Sequence, residues 1–245
     1  MQHNLPPVNL KLNIIPRGFG VVLCIGIILG CSVPIQTEAV VDGKPLSEWL
    51  RPYGLPGWGS RDMRPPEQAH ADYAMKELGI HAVPSLLKML RSRDSKLNFG
   101  AAYGFEFLGS QATGSVPDLV AIYESKISDA SQAAVAQSLG GIGKDAKSAV
   151  PVLIRGTTHA SEFVRHCSLV ALLKIRGDPQ QMVPVFLRFL ADPPNSEYAE
   201  IGLELLGWEG DSGEVIALLS GAVNDPNSKV SKVAKQIVQR LNSRR

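Results

Sequence analysis

A glycine followed within eight residues by a Val-Pro pair recurs along this chain at a nearly constant step. No other feature restricts the fold as strongly. The glycines are Gly79, Gly109, Gly143, Gly177 and Gly210, separated by 30, 34, 34 and 33 residues. The prolines are Pro84, Pro117, Pro151 and Pro184, separated by 33, 34 and 33. Glycine just past a helix supplies the left-handed turn that reverses the chain. Proline in the first turn of a helix costs no hydrogen bond, because the missing N–H has no partner there. Each unit therefore reads as an antiparallel helix pair, and self-similarity at this period marks a stacked array.

The unit is clearest from Ala133 to Ile154. The pattern predicts first helices over Glu67–Leu78, Lys96–Leu108, Ala130–Leu139, Ser161–Ile175 and Glu197–Leu206. Second helices are predicted over Val83–Ser92, Val116–Lys126, Val150–Thr157, Val183–Ala191 and Gly213–Asn224. Short polar joints such as Ser128-Asp129 and Asp225-Pro226-Asn227 separate the units. A last helix, Val230–Leu241, has no partner and reads as a cap with a basic outer face. One pair cannot bury both of its apolar faces, so stability must build by stacking. The expected fold is all-α: an α-solenoid superhelix of about five antiparallel helix pairs plus a terminal capping helix. With 44% hydrophobic and 6% aromatic residues, the composition suits close-packed helices.

At these positions the sequence resembles the HEAT repeat family, in the short bacterial form also seen in phycobilin-lyase-like proteins. The residues that carry the likeness are Ser138-Leu139-Gly140-Gly141-Ile142-Gly143 and Ala149-Val150-Pro151-Val152-Leu153. It extends over roughly Glu67 to Leu241, and the fifth unit departs from it, with Ala217 where the proline would stand. The resemblance implies a surface for protein partners. It also implies that the second helices line the concave face. Some proteins of this kind hold two irons through His-Glu pairs. Here His3, His70, His81, His159 and His166 are followed by Asn, Ala, Ala, Ala and Cys, so no metal or other cofactor is expected.

The N-terminus reads differently. Residues 1–17 carry Lys11 and Arg17 and no acid, and Gly18 to Gly30 is uncharged and almost wholly apolar. That is the n-region and h-region of a signal peptide, too short for the roughly 20 residues of a spanning helix. Ile28-Leu29-Gly30-Cys31 resembles a bacterial lipobox, in which the cysteine is lipidated and becomes the mature start. Cleavage after Ala39 and an uncleaved anchor are the competing readings. The expected organisation is a signal peptide over 1–30, a tether and N-terminal cap segment over 31–66, and the repeat domain over 67–245. Within the cap segment, Val41 to Leu50 reads as a short helix with Pro45 in its first turn. Trp49 there is placed to cover the open end of the first repeat. Arg51 to Pro66, rich in proline and glycine, reads as a loop.

Candidate chemistry is sparse. His159 and His166 flank Glu162, but His159 lies in a joint and no fourth metal ligand is evident. Cys167, in an apolar helix, reads as a small core residue rather than a reactive thiol. Four residues after each Val-Pro proline stand Lys88, Ala121, Arg155 and Arg188. Stacked units bring equivalent positions side by side, so Lys88, Arg155 and Arg188 are expected to form a basic stripe for an acidic peptide, a glycan or another anionic surface. An ordinary solvated face is the competing reading. The expected role is a non-enzymatic protein–protein interaction scaffold of the bacterial cell envelope. It would be exported, either membrane-anchored through the lipid on Cys31 or periplasmic, and would bind a protein partner on its concave face. The alternatives are a lyase-like or chaperone-like enzyme acting on a prosthetic group and a nucleic-acid-binding repeat protein. A net charge of +2 argues against nucleic acid, and none is expected as a partner.

Overall fold

The structure, a computed structural model, describes residues 38–53, 65–192, 195–209 and 212–243. It opens with a small hairpin, β1 (Val40–Val41) paired antiparallel with β2 (Lys44–Pro45). Asp42 and Gly43 make the turn at φ 49° and 76°. Asp-Gly favours the two-residue hairpin turn because both positions need positive φ. Helix α1 (Leu46–Leu50) follows directly, with Pro45 as its N-cap. The helix expected over 41–50 is thus half its length, because the hairpin takes the first part of it. Trp49 sits where the sequence placed it. Its indole N–H donates to the Val41 carbonyl at 3.2 Å, its ring meets His70 and Tyr73 edge-on, and the Lys44 ammonium lies 4.4 Å from it.

The first helices are α2 (Pro65–Leu78), α4 (Ser95–Leu108), α6 (Asp129–Ile142), α8 (Glu162–Ile175) and α10 (Ser196–Glu209). The second helices are α3 (Val83–Leu90), α5 (Val116–Glu124), α7 (Val150–Gly156), α9 (Pro179–Leu190) and α11 (Ser212–Ser220). Helix α12 (Ser228–Asn242) closes the stack. The fold is an all-α solenoid of five helix pairs with a terminal helix. The glycines act as expected in the second and third pairs: Gly109 (φ 54°, ψ −134°) and Gly143 (φ 77°, ψ −140°) end α4 and α6 in a backbone region that side chains avoid. Helix α6 passes through Gly140 and Gly141 before Gly143 stops it, three residues beyond the predicted end.

The fourth pair departs from the rule. Arg176, not Gly177, takes the left-handed conformation that ends α8. Pro184 does not open a helix but lies inside α9. Asp178-Pro179 is a complete start signal five residues earlier: the Asp178 carboxylate accepts from the Gln180 N–H, and Pro179 occupies the first helical position. Pro184 then costs the one hydrogen bond its nitrogen cannot donate.

Side-chain size sets the spacing of the stack. In the row of first helices, small residues bring backbones together. A Cβ on Gly140 would lie 3.0 Å from the Ala171 Cα, and one on Gly141 would lie 2.7 Å from the Glu106 Cα. The second helices turn large buried side chains towards the first helices, Leu86 against Gly104 of α4 and Phe186 against Gly202 of α10. Interaxial distance follows the side chains at the contact, so the first helices α4, α6 and α8 pack closely. Two contacts confirm this by joining helices two places apart. The Lys174 ammonium of α8 reaches the Glu106 carboxylate of α4 at 2.7 Å, passing over Gly140 of α6. Glu106, Gly140 and Lys174 hold one repeat position, 34 residues apart each time, and the missing side chain in the middle leaves the path open. At the other end, the Phe99 ring of α4 meets the Phe163 ring of α8 edge-on at 5.5 Å. The first helices therefore form an inner, closely packed row, and the second helices an outer, more exposed one.

Helix α6 is covered on all sides, and from Ser131 to Leu139 only Gln137 is partly exposed. A helix buried all round needs no apolar stripe, which is why its sequence shows little amphipathicity. Its polar side chains bond to the ends of second helices. Ser131 donates to the Leu90 carbonyl at 2.7 Å and Gln132 to the Tyr123 carbonyl at 3.2 Å. Asn98 of α4 does the same for the carbonyls of Met89, Leu90 and Ser92. Last-turn carbonyls otherwise lack partners.

Candidate functional site

The residues of the basic stripe are all exposed, on α3, α7 and α9. They lie on the outer row, and two of the three are already engaged with the preceding repeat. The Arg155 guanidinium meets the Glu124 carboxylate at 2.6 Å. Arg188 donates to the Thr157 hydroxyl at 2.5 Å and, more weakly, to the Thr157 carbonyl at 3.4 Å. A cation at the C-terminal end of α7 also complements the helix dipole there. Glu124, about one turn beyond Ala121 on α5, places an acid inside the row. The stripe is thus interrupted, and Arg155 and Arg188 join neighbouring repeats. Cys31, the expected lipidation site, lies outside the described residues.

The histidines at the joint are parted. His159 Nδ1 accepts from the Ser161 N–H at 3.0 Å and shapes the turn into α8. His166 lies one and a half turns into α8, and its Nδ1 pairs with the Asn195 side-chain oxygen at 2.8 Å. Among the described residues, no three of His, Cys, Asp and Glu are grouped to hold a metal. Cys167 is 9% exposed, and burial pushes its thiol up to about 12. That raised value predicts its chemistry. At pH 8 the native thiol is expected to alkylate about a thousandfold more slowly than the unfolded chain, measured by mass spectrometry on the peptide that carries Cys167. The unfolded chain releases this proton near pH 9 while the native chain keeps it. The contribution to stability is therefore present below pH 9 and is lost as pH rises towards about 12.

The inner row holds the feature that sequence reasoning missed. From α4 to α8 it is closed by the two contacts over α6. Between α8 and α10 it opens. Where α6 presents Ser131, Ala134, Ser138 and Gly141 to its predecessor, α10 presents Tyr198, Ile201, Leu205 and Trp208. These recur at steps of 3, 4 and 3, so they share one helix face. Ile201 is 41% and Trp208 43% exposed, whereas their counterparts on α8, Ser168 and Ile175, are fully buried. Large side chains in place of small ones hold α10 off α8. The opposite wall is the half-buried series Phe163, His166, Val170 and Leu173 of α8. At the N-terminal ends the two walls meet through the His166–Asn195 bond and an edge-on contact of 5.0 Å between the His166 and Tyr198 rings. A cleft of about 310 Å³ opens there, lined by Glu162, Phe163, His166 and Asn195.

This is the geometry of stacked helix pairs with one parted seam. Residues 116–207 match the family model described as HEAT repeats. The match covers the second helix of the second pair through most of α10. No curated protein matches the chain. Among solved structures, it is similar to an engineered protein (TM-score 0.47, 18% identity, 81% of this chain and 96% of that one). It is also similar to a designed armadillo repeat protein solved in complex with the peptide (KR)4 (TM-score 0.46, 15% identity, 80% of this chain and 98% of that one).

Proposed function

We propose that this chain is a non-enzymatic protein-interaction scaffold whose partner docks on the inner face, at the seam between α8 and α10. The observation that carries this reading is the apolar series Tyr198, Ile201, Leu205 and Trp208, all exposed but the half-buried Leu205, on a helix whose counterpart α6 is covered. Contiguous apolar surface on a water-facing protein is costly unless something binds it. Helix-pair stacks provide long surfaces of this type. The basic n-region, the apolar run and Cys31 support attachment to the bacterial cell envelope through lipid, with the scaffold held on the water side. Two or three acyl chains are needed for a stable anchor, one alone being marginal.

The test places a photo-crosslinking amino acid at position 201 on the inner row, or at position 88 on the outer row, in cells that express the full chain. A discrete protein adduct is expected from position 201 and none from position 88. Adducts from position 88 alone would return the contact to the basic stripe, and their absence from both positions would overturn the scaffold reading.

A further inference from the structure

The charges around the seam restrict what can enter it. Helix α10 carries Glu197, Glu200, Glu204 and Glu209 and has no Lys or Arg. By helical spacing, Glu197 flanks the Tyr198–Trp208 face on one side, and Glu204 on the same side is paired with Arg240 of α12. Glu162 stands exposed on the opposite wall, at the mouth of the cleft. The nearby cations are committed elsewhere. Lys174 is held by Glu106, and Arg165 donates to the carbonyls of His159 and Ala160. Lys229 reaches the Ser196 hydroxyl from α12. The seam thus has aromatic and aliphatic walls and an acidic rim.

Its length is also defined. Tyr198 to Trp208 spans ten residues, about 15 Å of helix, which matches about three turns of a second helix. The apolar side chains stand at helical spacing on both walls. That suits an occupant whose own apolar side chains repeat at i, i+3, i+4 and i+7. Such an occupant would cover the surface that a small-faced first helix covers elsewhere in the row.

We infer that the seam between α8 and α10 receives an amphipathic helix of a partner protein, apolar on one face and flanked by Lys or Arg. This rests on the interaction reading above and adds the chemistry of the partner. It also reverses the sign expected from the outer stripe, which called for an anionic partner.

The probe is a labelled 14-residue helix-forming peptide with Leu and Phe on one face and Lys on the flanks. Its control has the same apolar face and Glu in place of Lys. Binding of each to the full chain is followed by fluorescence anisotropy. The Lys peptide is expected to bind at least about tenfold more tightly at low salt, and the difference should shrink at high salt, as screened charges require. Ile201→Asp, on an exposed site, should weaken the Lys peptide by about tenfold or more while leaving the circular dichroism spectrum intact. The pair Glu162→Gln and Glu197→Gln, which leaves the apolar walls alone, should remove the preference for Lys over Glu. Equal affinity for the two peptides, or a Lys peptide indifferent to Ile201→Asp, overturns the inference. So does a dimer in sedimentation velocity that Ile201→Asp dissolves, because a second copy would then be the occupant. An adduct at position 201 combined with failure of the Lys peptide keeps the scaffold and overturns only the cationic helix.

Discussion

Gly141→Ala is expected to destabilise the chain by about 1–3 kcal/mol, against the direction that helix propensity alone predicts. In an unobstructed helix the same change stabilises by roughly 0.5–1 kcal/mol, because glycine has more backbone freedom to lose on folding. Here the new methyl would stand 2.7 Å from the Glu106 Cα and 3.1 Å from its backbone nitrogen. Those atoms belong to α4 itself and cannot rotate aside as a side-chain tip can. The two first helices must move apart. That motion also disturbs the Lys174–Glu106 contact, which depends on the short α4–α6–α8 spacing. Urea unfolding followed by helical circular dichroism checks this, with Gly114→Ala as the control. A Cβ at Gly114 meets nothing within 4 Å, so that change should be neutral or mildly stabilising. Equal midpoints for the two variants would show that backbone approach does not hold the row together.

The second large effect is Phe99→Ala, with an expected loss of about 3–5 kcal/mol. The Phe99 ring is 2% exposed and is, with Phe105 and Phe186, among the largest fully enclosed side chains. Its removal leaves a cavity that the helices cannot readily fill, since Gly100, next in sequence, is fixed against the Leu50 backbone, with the position of its missing Cβ 2.7 Å from that carbonyl oxygen. It also uncovers Phe163, which meets the Phe99 ring across α6. The loss should therefore extend over two repeats, as expected where stability is the sum of neighbour contacts. Phe107→Ala is the natural comparison, because Phe107 is 42% exposed, and a change of no more than about 0.5 kcal/mol is expected there. A similar midpoint shift for the two would contradict an inner row closed over α6.

Most of the architecture was legible in residue spacing. Backbone requirements are local, so a glycine at a left-handed turn and a proline in a first helical turn mark their positions without reference to anything distant. Gly109, Gly143, Pro117 and Pro151 behave as that rule states. Where two local signals competed, the one ignored prevailed: Asp178-Pro179 starts α9 ahead of Pro184, and Asp42-Gly43 turns a hairpin where a longer helix was expected. Both signals stood in the sequence, at the scale at which it is most informative.

The site was less legible, and the reason is geometric. Whether Arg155 faces a ligand or Glu124 depends on how far one repeat is rotated on the next. That rotation comes from the sizes of side chains meeting across the interface, not from those within a unit. Comparing α6 with α10 position by position does expose the change from Ser131, Ala134, Ser138 and Gly141 to Tyr198, Ile201, Leu205 and Trp208. Its meaning appears only once those positions are known to face the preceding helix. By itself, the sequence determined the helix pairs, their period and their ends, because these follow from φ, ψ and hydrogen bonding within a few residues. The tertiary structure alone decided which row is covered, which charges pair with each other and where the row parts, because each depends on the volume of side chains brought together from different repeats.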